Sequence, residues 1–348
     1  MARRLPSDLM DRSAEEASRL LALSYLDQID RVQKRLADAL DLEALHDFRV
    51  GLRRLRSCLR AYRAQLKASL SGKSLKRLRT LMTDTNAARD AEVQLLWLRK
   101  QAEGLGPEEA QAVFWFIGRL EGRQLETLNP STAEIGRRFG KTASKLRRRL
   151  ATLQIEIATD PRTRPPTFGE VAGDLVHQHV VRLRADLKRA GEAPSDQDAH
   201  RARISVKRLR YLIEPLVRNV SQNRTLVRQL KEVQDVLGGL HDLHVLAEEI
   251  ASSLSALAGD QNRLTGAEPG LRALERLASE QAAAALAKFQ VLCGRDRMSR
   301  VLLRADELGN SLKGAHPETV AEMVELNPAV GRPIEYTPSL VRHAEHVV

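Results

Sequence analysis

The sequence predicts an all-α protein built as an internal repeat. Strand signals are nearly absent, and Leu, Ala, Arg, Glu and Gln dominate. Apolar residues recur at three- and four-residue spacing, the period of an amphipathic helix. In addition, the stretch HDFRVGLRRLR at 46–56 returns as HRARISVKRLR at 200–210, 154 positions later. His46 then matches His200, Arg49 matches Arg203, Arg53 matches Lys207, Arg54 matches Arg208 and Arg56 matches Arg210.

The periodicity places helices at about 14–40, 43–70, 73–88, 90–103, 107–128 and 132–157. TDPRTRPPT at 159–167 holds three prolines and halts the pattern, because proline lacks a backbone N–H and clashes with the preceding turn. Helices resume at about 168–190, 197–219, 222–237, 241–257, 268–292 and 296–312. Each half runs through a leading helix, a basic helix, a further helix and a small turn. The turns align at an offset of 152, TNAARDAEV at 85–93 with LGGLHDLHV at 237–245. Asp90 and Asp242 coincide there and suit helix N-caps, and Gly238 and Gly239 suit the end of the preceding helix. The expectation is one domain over 12–312, made of repeats at about 12–158 and 167–312. Each repeat is most simply a bundle of four or more helices. Residues 313–348 have three basic and five acidic residues and little periodicity, and read as a tail.

Composition narrows the function. The 348 residues carry a formal net charge of +11, with a pI near 10.0, which points to an anionic partner. Only 12 residues are aromatic, too few for the stacking platforms that single-stranded nucleic acids use. Phosphate is therefore favoured over base as the group recognised. Cys58 and Cys293 form no disulfide or zinc pattern. The N-terminal stretch fits neither a signal peptide nor a membrane span, so no membrane is expected and a cytosolic location is the default.

The first basic helix shows how charge and core are combined. His46, Arg49, Arg53, Arg56, Arg60, Arg63 and Lys67 fall on one stripe, spaced 3, 4, 3, 4, 3, 4. Leu45, Phe48, Leu52, Leu55, Leu59, Tyr62 and Leu66 keep the same spacing one residue earlier, about 100° around the helix. The basic face thus borders the buried one. Solvated helices ordinarily mix signs, because like charges one turn apart cost roughly 0.2–0.5 kcal/mol each. In the second copy His200, Arg203, Lys207 and Arg210 repeat the spacing before Glu214 ends it. Two similar repeats tend to pair about a pseudo-twofold axis, which would set the stripes across a shared groove or pore. Arg79 and Lys231 match at the offset of 152, as do Arg89 and His241. Arg137, Lys141, Lys145 and Arg148, and His177, Arg184 and Lys188, read as solvated faces.

HDFRVGLRRLRSCLRAYR and HRARISVKRLRYLIEPL resemble the two signatures of the CHAD domain, the conserved histidine α-helical domain. TNAARDAEV and LGGLHDLHV resemble its two turn motifs. The resemblance covers roughly residues 12–310. It implies two four-helix bundles related by a pseudo-twofold, with a basic central groove or pore. It also implies binding of inorganic polyphosphate and location at polyphosphate granules. The expected contact residues are His46, Arg49, Arg53, Arg54, Arg56, Arg60, Arg79, Arg89, His200, Arg203, Lys207, Arg208, Arg210 and Lys231.

Two other classes stand beside this reading. A phosphoanhydride-processing enzyme would use His46 or His200, but such chemistry usually needs carboxylates for a metal and a placed base, and no acidic cluster lies near either histidine in sequence. No catalytic residue, metal site or cofactor is expected. Nucleic-acid binding, weak and non-specific, is permitted by charge alone, yet no recognition module is present.

Overall fold

The computed structural model describes residues 5–38, 41, 43–127, 132–152, 164–192, 195–216, 221–258 and 264–314. Among these residues the chain is helical, with one isolated bridge and no strand. The first half comprises α1 (Ala14–Arg35), α2 (Ala44–Ala61), α3 (Gly72–Asp84), α4 (Asn86–Ala102), α5 (Pro107–Thr127) and α6 (Thr132–Ala151). The second comprises α7 (Phe168–Glu192), α8 (Asp196–Ile213), α9 (Ser221–Ala258), α10 (Leu264–Leu292) and α11 (Arg295–Lys313). The predicted tail from residue 315 onward lies outside the described residues.

Equivalent helices begin in equivalent ways. Thr167 and Glu170 form a reciprocal capping box at the start of α7. The Thr167 hydroxyl accepts from the Glu170 N–H at 3.2 Å, and the Glu170 carboxylate accepts from the Thr167 N–H at 2.8 Å. At the start of α1, 154 residues earlier, Ser13 accepts from the Glu16 N–H at 3.3 Å. The two caps also touch. Ser13 and Thr167 form an antiparallel bridge, in which the Ala14 N–H reaches the Pro166 carbonyl at 2.9 Å and the Phe168 N–H reaches the Arg12 carbonyl at 2.8 Å. Further contacts between the halves again join equivalent helices: α1 with α7, α2 with α8, α4 with α9 and α5 with α10.

The basic helices keep their apolar faces inward as the pattern requires. Phe48, Leu52, Leu55 and Leu59 of α2 are buried, as are Val206, Leu209 and Ile213 of α8. They join one large apolar cluster that runs through both halves. A second cluster gathers Leu95 and Leu98 of α4, Phe116 of α5, Leu246 and Ile250 of α9, and Leu271 of α10. This outlying end is therefore a four-helix packing to which each half lends two helices. Close approach fixes some of the packing. A Cβ on Gly173 of α7 would stand 2.5 Å from the Gly309 carbonyl of α11.

The structure corrects the helix pattern in two places. The turn expected between 237 and 241 is absent, because α9 is one helix of 38 residues running through Gly238 and Gly239. Buried Leu226, Leu230, Val233, Leu237 and Leu240 keep an unbroken helical register across the glycines. Glycine weakens a helix by about 1 kcal/mol relative to alanine but does not end it. Asp242 is thus interior, and Asp90 lies in the second turn of α4, whose N-cap is Thr85; neither aspartate is a cap. The basic helix also ends earlier than expected, at Ala61, and Arg63 and Lys67 lie beyond it on exposed turns.

Candidate anion-binding groove

Arg53 on α2 lies close enough to Arg203 and Lys207 on α8 to disfavour the charge of both. The two basic helices pack together, and Arg53, Arg203 and Lys207 lie within electrostatic reach of one another. Burial is the main cause of the depressed pKa of Lys207, which is pushed down to about 7. Arg203, Arg53 and Arg210 add repulsion, and Asp242 opposes it. Arg203 is held down chiefly by burial, against partial relief from Asp242 and Asp90. The Nε atoms of Arg53 and Arg203 are buried without a hydrogen-bond partner.

His200 stands at the same place, its ring 5.4 Å from that of His241. Burial, then Arg203, then His200 bring the pKa of His241 to about 4, and burial with Arg203 and Lys207 also lowers that of His200. Arg210 is more constrained. Its Nε donates to Gln234 at 2.9 Å, its Nη1 to Glu214 at 3.2 Å, and its guanidinium lies 4.3 Å over the Tyr211 ring.

The remaining expected residues divide by what they touch. Arg49 is only 6% exposed. It donates to the Thr85 carbonyl and, at 3.0 Å, to Asn86 Oδ1, and so ties α2 to the joint between α3 and α4. Arg54 pairs with Glu214 across the two halves. Arg56 lies near Arg79 and Arg60, which, after burial, lower its pKa further. Arg60 and Arg208 form a separate group with Arg182 and His179. His46 is half-buried in the first turn of α2. Lys231 reaches Asp235 at 3.5 Å within α9. The side chain of Arg89 lies outside the described residues. Of the faces read as solvated, His177 meets Asp306 at 3.0 Å and Arg184 meets the same carboxylate at 3.4 Å.

Sequence comparison of the repeats missed His179 and Arg182, because their counterparts at the offset of 154 are Tyr25 and Gln28. His241 carried a usable signal, since it occupies the place of Arg89. No helix among the described residues is long and apolar enough to cross a membrane.

A search of curated proteins returns no match. A crystal structure of the CHAD domain from the plant Ricinus communis superposes with a TM-score of 0.61 at 22% identity, covering 85% of this chain and 95% of that one. It shares the helical fold. The CHAD domain family model matches residues 21–251, about two thirds of the sequence, and the chain accordingly belongs to the CHAD domain family.

Proposed function

We propose that this protein binds inorganic polyphosphate in the groove where α2 and α8 meet, without turning it over, and that it associates with polyphosphate granules. One observation carries the reading: Arg53, Arg203 and Lys207 converge from two helices and are only partly offset by Asp90 and Asp242. Three partly buried cations in mutual repulsion lower stability unless an anion bridges them. A linear polyanion with roughly one charge per phosphate supplies that bridge along both walls. Arginine forks match phosphate oxygens bidentately, and lysine adds point charge. Family membership supports the same reading.

Isothermal titration tests it, with long-chain polyphosphate at two salt concentrations and charge-matched DNA and RNA alongside. The proposal expects polyphosphate to bind more tightly than either nucleic acid, with affinity falling steeply as salt rises. Equal affinity for all three would reduce the groove to a generic basic surface.

A further inference from the structure

A pocket of about 210 Å³ lies where α1, α2, α7 and α8 come together. Its walls fall into pairs at the offset of 154: Leu21 with Leu175, Tyr25 with His179, Cys58 with Leu212. Equivalent surfaces of the two halves enclose it, but its charge is lopsided. Arg54 corresponds to Arg208, and Glu214 to Arg60. Arg54 pairs with Glu214, a carboxylate that also accepts from Arg210 at 3.2 Å. The corresponding pair on the other side is Arg60 and Arg208, both cations and both lining the pocket. Arg182 adds positive charge beside them, and Asp186 is the acid that offsets Arg208. That carboxylate already holds Arg189 and the Ser205 hydroxyl.

Two polar atoms here are unsatisfied. Tyr62 lines the pocket, is 1% exposed, and its hydroxyl has no hydrogen-bond partner. The Nε of Arg208 is likewise buried without one. Native proteins leave few such groups, and both belong to residues that line the pocket. The other walls are largely hydrocarbon. A bare inorganic anion drawn in against them would lose hydration without compensation. An anion with a compact apolar body would satisfy both kinds of wall, the usual composition of a small-molecule site.

We propose that this pocket binds a small organic phosphate, a monoester whose phosphate lies between Arg60 and Arg208 and whose apolar group packs against Leu21, Leu175 and Leu212. The site goes beyond the polyphosphate reading: Arg60 and Arg208 are among the expected polyphosphate contacts, but Arg53, Arg203 and Lys207, which carry that reading, do not line this pocket.

Titration of the full chain with phenyl phosphate tests the proposal, with orthophosphate and phenol as the separate halves of the ligand. The expected result is saturable one-to-one binding of phenyl phosphate, at least about tenfold tighter than either half. Arg60→Gln, at an exposed position, and Arg208→Gln should each weaken it about tenfold or more. Lys207→Gln should leave it unchanged while weakening long-chain polyphosphate, so failure of one reading is distinguishable from failure of the other. Orthophosphate binding as tightly as phenyl phosphate, loss of phenyl phosphate binding in Lys207→Gln alone, or no saturable binding would each overturn the proposal.

Discussion

Lys207 concentrates the electrostatics of the groove in one side chain. Its pKa of about 7 against an ordinary 10.5 means that folding disfavours its charge. Between those values the unfolded chain holds more protons than the folded one, so stability rises with pH from about 7 to 10.5. Below pH 7 the cost is fully present. His241 works the same way lower down, so acidification from 6.5 to about 4 destabilises the unliganded protein. A polyanion bound at the proposed site would reverse the preference at both residues by favouring their charged forms. Polyphosphate binding above pH 7 should therefore take up a proton at Lys207, and affinity should rise as pH falls toward 7. Titration in two buffers of different ionisation heat measures that uptake. Lys207→Arg should abolish the pH dependence in this range while retaining binding. Lys207→Met should weaken binding yet raise stability by about 1 kcal/mol, as removal of a repelled cation at a functional site does; thermal melts without ligand check the sign.

At the scale of elements, equivalent residues have diverged in role. Arg49 and Arg203 match in sequence, but Arg49 holds the joint at Thr85 and Asn86, whereas α9 passes the corresponding point without a break. Arg49→Ala should cost about 1–3 kcal/mol in chemical denaturation, because it strips a buried carbonyl of its charged donor. Arg203→Ala should instead spare stability and reduce polyphosphate affinity. Gly238→Ala and Gly239→Ala should each stabilise α9 by about 1 kcal/mol, since a Cβ at either position meets nothing within 4 Å. The helical class, the repeat and the two basic stripes were legible in the sequence because period and charge are local properties. The continuity of α9 was not, because paired glycines read as a stop until the buried register on both sides is seen. The different partners of the arginines were also hidden. Arg49, Arg53 and Arg60 share one helical stripe, and only the partner helices that each one meets tell them apart.

Over the whole molecule, the two halves share two apolar clusters, each fed from both sides. The Ser13–Thr167 bridge and the Arg54–Glu214 pair add polar ties across the same boundary. A fragment ending near residue 158 would expose the apolar surface that the second half covers, and it should lack a cooperative thermal transition by circular dichroism. A shared groove requires the same unity, because a polyanion bridging α2 and α8 couples residues that are far apart in sequence. The most direct measurement is a double-mutant cycle for polyphosphate affinity with Arg53→Ala, Lys207→Ala and both together. Two walls of one site predict losses that fail to add, with a coupling of about 0.5–3 kcal/mol. Losses that add within about 0.5 kcal/mol would mean two independent basic surfaces and would contradict the shared groove.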